Sequence, residues 1–308
     1  MKTLPATDEP FGLDMSFGEA LERIARINTK EDEPEIILHS PAPFVKWVGG
    51  KRSIIDQLVG HLPANLGNYY EPFVGGGALF FETYARLTAA FLSDSNPDLV
   101  LTFKAVQRDP EVLIAKLETH AEKDSPQHYY KVRGQHTLQE PVDIAARFIY
   151  LNKTCFNGLY RVNKKGEFNV PRGTYSNPGI VQRENILACS HALQKATIEY
   201  REFDTISPQA GDFVYCDPPY HPSDTNSFTK YTRLDFSEKD QERLRDLALQ
   251  LHKRGVKVML SNSDTGFIRG LYGSAIWQVN VVQAPRLVNC KAAGRGAVNE
   301  LLITNYTP

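Results

Sequence analysis

The run Asp212-Phe213-Val214-Tyr215-Cys216-Asp217-Pro218-Pro219-Tyr220 reads as a buried strand that stops at a carboxylate. Apolar and aromatic residues, with Val214 β-branched, lead straight into Asp217 and two prolines. Proline cannot donate to a sheet ladder and pushes the residue before it into extended geometry. The Asp217 carboxylate, the carbonyls beside it and the Tyr220 ring are therefore held stiffly at the strand's carboxyl edge, where ligands bind in open α/β sheets. Two acceptors and an aromatic face suit a planar amine and the ring that carries it. Asp-Pro by itself is an ordinary turn signal, but four residues in this order behind an apolar strand read as a site.

Working toward the N-terminus, Asn68-Tyr69-Tyr70-Glu71-Pro72-Phe73-Val74-Gly75-Gly76-Gly77 precedes a helical stretch over 78–87. Strand, glycine-rich turn and helix in that order form the first half of a nucleotide-binding βαβ unit. Phe91-Leu92-Ser93-Asp94 reads as the second strand, ending in an acid 19 residues after Gly75, a spacing suited to ribose hydroxyls. The glycines do not follow G-x-G-x-x-G and no arginine stands ready for a phosphate. A nucleoside without a pyrophosphate fits better, and S-adenosylmethionine is such a molecule. Further upstream, Phe44-Val45-Lys46-Trp47-Val48-Gly49-Gly50-Lys51 joins aromatic residues to a flexible turn and a helix over 53–62, without P-loop spacing.

The totals describe an ordinary soluble globular chain: 308 residues, 42% hydrophobic and 23% charged, with no apolar run long enough to span a bilayer and no signal-peptide core at the start. A cytoplasmic protein is the expectation. Cys155, Cys189, Cys216 and Cys290 are scattered without a C-x-x-C pair or clustered histidines, so they read as reduced structural thiols and no metal site is expected. The net charge of −1 conceals an asymmetry. Residues 1–40 carry four Lys/Arg against nine Asp/Glu, whereas residues 128–175 carry eight (Lys131, Arg133, Arg147, Lys153, Arg161, Lys164, Lys165, Arg172) against three (Glu140, Asp143, Glu167). One segment can face phosphates while the whole stays near neutral.

Ser16 and Glu19 form a capping-box pattern ahead of Phe17, Leu21, Ile24 and Ala25, followed by an acidic run over 31–35. This reads as a docked helix or an extension, with a DNA-mimicking arm as the sharper alternative. Residues 96–155 read as mostly helical, with boundaries at Asp109-Pro110 and Glu140-Pro141. From Phe156 to Tyr175 the pattern becomes a basic hairpin: Asn157-Gly158 opens a turn, 159–163 is strand-like, Lys164-Lys165-Gly166 turns, and 167–170 returns. Such an arm can enter a groove, with Arg161 or amide side chains on base edges and lysines on phosphates; the plainer reading is a solvated hairpin. Regular α/β then resumes with strands over 198–203, 213–216, 256–260, 277–282 and 301–304, a helix over 237–253 stopped by Gly255, and a polar, Ser/Thr-rich flap over 221–235.

Taken together and in this order, these stretches resemble the Dam-type DNA adenine-N6 methyltransferases from about Phe44 to Tyr306. Phe-Val-Lys-Trp-Val-Gly-Gly-Lys is similar to the family's first cofactor motif, Glu-Pro-Phe-Val-Gly-Gly-Gly to its principal one, and Asp217-Pro218-Pro219-Tyr220 to its catalytic tetrapeptide. Asn152 to Arg161, followed by Gly166 to Pro171, is similar to the target-recognition region of GATC-modifying members.

The resemblance implies a Rossmann-like methyltransferase sheet with helices on both faces, together with a small inserted helical and β-hairpin DNA-recognition domain. Residues 1–40 would be an acidic extension, 41–108 and 195–308 the S-adenosylmethionine-binding catalytic domain, and 109–194 the recognition domain. Asp217, Pro218, Pro219 and Tyr220 would be catalytic. Trp47, Lys51, Phe73, Gly75, Gly77, Asp94, Asp204 and Asp217 would hold the cofactor, with Lys51 at its carboxylate and Asp204 at the adenine amino group. Lys46, Phe156, Asn157, Leu159, Arg161 and Pro171 would contact double-stranded DNA, Phe156 and Asn157 filling the gap around an extruded adenine. Close relatives carry an arginine shortly after the proline, where this chain has Arg172 and Thr174 in a shifted arrangement, so the expected site is GATC or another GA-containing sequence. The resemblance implies bacterial cytoplasm or a phage-infected cell and leaves a restriction-nuclease partner open. The rival readings are a methyltransferase for RNA adenine, a glutamine amide or cytosine N4, and a catalytically silent DNA-binding module.

Overall fold

The computed structural model describes residues 39–222, 236–285 and 297–308. The helix expected near Ser16, most of the polar flap and Cys290 lie outside the described residues. Seven strands form one sheet: β1 (Tyr69–Glu71), β2 (Ala90–Asp94), β3 (Ala196–Tyr200), β4 (Phe213–Cys216), β5 (Lys257–Ser263), β6 (Gln278–Pro285) and β7 (Ala297–Thr304), in the order β3-β2-β1-β4-β5-β7-β6. The first five are parallel to one another, while β7 runs antiparallel between β5 and β6. Every residue of β1 and β4 is buried, as strands covered on both faces require.

The two-residue alternation of a strand assigns those side chains to two cores. Phe213 and Tyr215 join Tyr69, Leu92 and the helices α2 (Ala78–Thr83), α3 (Pro97–Arg108) and α6 (Pro141–Thr154) on one face. Val214 and Cys216 join Tyr70 and Val258, together with Leu244, Ala248 and Leu251 of α8 (Glu238–Lys253), on the other. Helices on both faces were expected, and the sheet has them.

Proline opens four of the helices among the described residues. Asn96 accepts from the Leu99 N–H at 3.1 Å ahead of Pro97, and α4 (Pro110–Glu122) and α6 open on the prolines that mark their boundaries in the sequence. A fourth such start, α5 (Pro126–Arg133), is capped by Ser125 and was hidden within the helical stretch. Ser237 and Asp240 form a reciprocal capping box at the head of α8, and Gly255, at φ +77°, follows its end. Between the hairpin and β3 lies α7 (Arg183–Leu193), and α9 (Gly266–Leu271) follows β5.

Several boundaries differ from expectation. The helix expected over 53–62 is a 3-10 turn over Lys51–Ile54 and then α1 (Ile55–Gly60). The helix expected over 78–87 gives way after Thr83, whose hydroxyl bonds back to the Leu79 carbonyl at 2.7 Å, to a 3-10 turn over Tyr84–Arg86. The strand expected over 198–203 is β3, which ends at Tyr200 because its neighbour β2 ends opposite, at Asp94. Conversely, β6 and β7 run longer than expected because they pair along their whole lengths, from Gln278↔Thr304 to Pro285↔Ala297.

Residues 109–194, expected as the inserted recognition domain, contribute Tyr129, Ile149, Phe168 and Val170 to the same hydrophobic core as Tyr69 and Leu92. Its helix α6 packs against α3, which in turn lies on β2 and β3.

Candidate functional site

Strand β1 leads to β2 and β3 on one side, and β4 leads to β5 on the other, so the direction of sheet building reverses between β1 and β4. Such a switch point opens a crevice at the carboxyl ends of the two strands. The register Tyr69↔Phe213 and Tyr70↔Val214 brings the glycine turn after β1 and Asp217 after β4 to that one edge, side by side.

At Asp217 the strand ends in Pro218, buried, and Pro219, exposed. Lys51, itself buried, places Nζ 2.8 Å from Asp217 Oδ1. The contact is an ion pair, and a carboxylate oxygen so engaged keeps a second lone pair for another donor. Burial raises the Asp217 pKa while the Lys51 cation pulls it down. The same ammonium donates to the Gly49 carbonyl and lies 4.7 Å from the centroid of the Tyr220 ring, a cation–π distance. Lys51, expected at the cofactor's carboxylate, is thus in contact with the Asp-Pro-Pro-Tyr corner. Tyr220 donates its hydroxyl to Glu300 Oε2 at 2.8 Å.

In the glycine turn, Gly75 has φ +47°, and a Cβ there would come within 2.6 Å of the Trp47 indole. Glycine is required both for the backbone angle and for the approach of the ring. The Gly75 N–H donates to Asp94 Oδ2 at 3.1 Å, and Asn96 N–H to Asp94 Oδ1 at 2.9 Å. Burial pushes the Asp94 carboxyl up to about 6 against these hydrogen bonds. Gly77, at φ +70°, begins α2. Trp47 stacks on Phe148 and Tyr160, at 6.3 and 5.8 Å between centroids, and Phe73 stacks on Phe203 at 5.2 Å. Trp47, Gly75, Gly77 and Asp94, all expected to hold the cofactor, therefore surround one turn. Asp204 lies in the 3-10 turn Phe203–Thr205, where its carboxylate pairs with Arg243 of α8 on the surface.

The arm is built around Asn152, near the end of α6. Its side chain accepts from the Lys46 N–H at 2.7 Å and donates to the Lys46 carbonyl at 2.8 Å and the Gly158 carbonyl at 3.2 Å. Lys46 and the Phe156–Gly158 turn are thereby locked together. Asn157 holds φ 55°, which asparagine tolerates better than other side chains. Phe156 is 51% exposed, a large apolar ring at the base of a basic hairpin, where its N–H is paired with Pro171. The hairpin is present as expected: Val162 bridges Phe168, Asn163 N–H donates to the Glu167 carbonyl at 2.9 Å, and Arg161 Nε donates to Asn169 Oδ1 at 2.7 Å. Leu159 is half-buried, and the Pro171 carbonyl accepts from the Phe156 N–H at 2.9 Å. Arg172 turns inward to pair with Asp124 at 2.7 Å, beside the Tyr150 hydroxyl.

The sequence reading missed four groups at this edge. Glu71 is buried and receives the Tyr69 hydroxyl at 2.8 Å, with its carboxyl pushed up to about 8 mainly by burial. Gln241 of α8 donates to the Pro219 carbonyl at 2.9 Å, and Asn262 of β5 donates to Gln241 at 3.0 Å while accepting from the His221 N–H at 3.1 Å. Glu300 holds Tyr220. A single acid in the apolar run Val298-Asn299-Glu300-Leu301-Leu302-Ile303 was the available signal for the last. Cys216 takes no part: burial raises its thiol pKa far from any nucleophilic range.

A sheet of this order, carrying a glycine turn, a second-strand acid and an Asp-Pro-Pro-Tyr corner at its switch point, is that of a Rossmann-like methyltransferase. The chain belongs to the D12 class N6 adenine-specific DNA methyltransferases, whose family model matches residues 47–285. It is 40% identical over 274 residues to the Type II methyltransferase M1.LlaDCHI of Lactococcus lactis subsp. cremoris, covering 86% of this chain and 95% of the relative. It is 42% identical over 287 residues to the Type II methyltransferase M.MjaIII of Methanocaldococcus jannaschii, with 86% and 99% covered. A DNA adenine methylase of Vibrio cholerae is 38% identical over 272 residues, with 86% and 96% covered.

Proposed function

We propose that the protein methylates N6 of an adenine swung out of duplex DNA, in GATC or another GA-containing site, with S-adenosylmethionine as donor. The observation that carries the reading is the β1–β4 pairing, which sets the glycine turn and Asp217 at one sheet edge. The residues suit the donor: the turn has the backbone freedom to approach a ligand, Asp94 closes it as a ribose acid, and buried Asp217 Oδ1 has acceptor capacity to spare. Trp47, Phe73, Gly75, Gly77 and Asp94 would hold it. When bound there, S-adenosylmethionine would supply a methyl group on a cationic sulfur, the N6–C bond forming as the S–C bond breaks, and the proton that N6 then gives up would pass by way of Asp217 to solvent.

The chain's own residues do the rest. Extruding the base costs a few kcal/mol, and Tyr220 recovers part of it by stacking on the ring. The amino nitrogen is a poor nucleophile because its lone pair is delocalised into the purine. Asp217 and the Pro218 carbonyl accept its two N–H bonds, favour a pyramidal nitrogen and aim the lone pair. As the nitrogen becomes positive, the Asp217 charge stabilises it in a site that is partly dry. Phe156 and Asn157 would occupy the gap in the duplex, Leu159, Arg161 and Pro171 would face neighbouring bases, and Lys46 would lie alongside them. Because Arg172 is engaged by Asp124, the outermost base pair would be read by another group. Asp204, committed to Arg243 on the surface, would reach the adenine amino group of the donor only by leaving that pair. Residues 109–194 would serve as the recognition unit, in a bacterial or phage-infected cytoplasm, and a restriction nuclease cutting the same site is the partner such a modification enzyme would have.

Transfer of tritium from labelled S-adenosylmethionine, followed by nucleoside analysis, tests the reading. N6-methyladenine in duplex DNA is expected. Label in RNA or protein, methylation at cytosine N4, or thermal stabilisation by the donor without transfer would overturn it.

A further inference from the structure

Tyr220 is held by two groups that lie outside the Asp-Pro-Pro-Tyr motif. Its hydroxyl donates to Glu300 Oε2 at 2.8 Å, across 80 residues of chain, and Lys51 Nζ covers one ring face at 4.7 Å. Glu300 stands on β7 opposite Ser263 of β5, beside the fully buried Leu301, Leu302 and Ile303. Glu300 is itself half-buried, and the hydrogen bond it makes is to the Asp-Pro-Pro-Tyr corner. Nearby, the Pro219 carbonyl is fixed by Gln241, whose side chain is itself held by Asn262. The residue before Tyr220 is thus pinned through its backbone and Tyr220 through the far end of its side chain, which leaves the ring little freedom about χ1 and χ2.

We propose that Glu300 is a positioning residue: by anchoring the Tyr220 hydroxyl it fixes the ring as a platform for the extruded base, with the face away from Lys51 as the stacking surface. This rests on reading the Asp217–Tyr220 corner as the target-base site. A stacking platform must be held closely, because small misplacements at a reacting centre cost large factors in rate.

The test combines kinetics with duplex DNA carrying 2-aminopurine at the target adenine, a base whose fluorescence is quenched by stacking. Glu300→Ala is expected to lower kcat at least tenfold, to leave the KM for S-adenosylmethionine within about twofold, and to raise 2-aminopurine fluorescence in the DNA complex as the base loses its platform. Glu300→Gln, which keeps an acceptor oxygen, should restore most of both signals. In a Tyr220→Phe background, Glu300→Ala should add little, because the bond it breaks is already gone. Wild-type kcat and fluorescence in Glu300→Ala would overturn the proposal, as would effects of the two substitutions that simply multiply, or a Glu300→Gln variant with an unchanged melting temperature that fails to rescue. A wild-type protein that does not methylate DNA would instead overturn the reading on which the proposal rests.

Discussion

Lys51 touches three things at once: the Asp217 carboxylate, the Gly49 carbonyl and the Tyr220 ring. Its cation favours the ionised form of Asp217 against burial, so removing it must raise the Asp217 pKa. Lys51→Met should therefore move the acid limb of the kcat–pH profile to higher pH, and a limb that stays in place would show that Asp217 ionisation does not govern turnover. Glu71 titrates with the opposite consequence for stability. Its carboxyl is pushed up to about 8 from an ordinary 4.5, so the folded state keeps a proton that the unfolded chain releases. Stability from this group is intact below about pH 4.5 and is lost as pH rises through 8. Glu71→Gln should flatten that decline, seen as a smaller fall in melting temperature between pH 5 and pH 9 than in the wild type.

At the scale of elements, the hairpin between α6 and α7 combines two kinds of side chain that separate experimentally. Arg161 is oriented by Asn169, at 2.7 Å, whereas Lys164 and Lys165 are exposed at the turn. Arg161→Ala should cost about 1–3 kcal/mol and relax selection at a single base pair, read as methylation of near-cognate sites. Replacing both lysines with alanine should weaken binding evenly across sequences and reduce the salt slope of log K by about one for each phosphate no longer neutralised. If the lysine pair altered site preference and Arg161 did not, their roles in the arm would be reversed. The hairpin's position is not its own doing: Asn152 on α6 ties its first turn to Lys46, over a hundred residues earlier.

Across the whole molecule, the described residues contain no helix long and apolar enough to cross a membrane, and the fold is a single sheet with a core on each face. A donor that binds the folded chain alone stabilises it by mass action, about 2.7 kcal/mol at a hundredfold excess over Kd. S-adenosylmethionine should raise the melting temperature of the wild type and of Asp217→Ala by several degrees, with methyl transfer abolished in the latter. The rise should be largely absent in Asp94→Ala, and an undiminished rise there would remove Asp94 from the donor site.

The order of motifs was legible because each has a local physical basis: prolines end a strand at Asp217, glycines turn the chain at 75–77, prolines open α4 and α6, and Ser237 with Asp240 caps α8. So was the hairpin, written in Asn157-Gly158 and the basic turn. Strand ends were not local. β3 stops where β2 stops, and β6 and β7 lengthen each other, because a strand extends only as far as a partner accepts its hydrogen bonds. The pairings that hold the site were equally out of reach. Lys51 on Asp217, Gln241 on Pro219 and Glu300 on Tyr220 meet across tens to hundreds of residues. By itself the sequence determined which chemistry the chain carries and the order in which it is strung; the tertiary structure alone decided which distant side chains hold that chemistry in place, because such pairings exist only once the sheet has folded.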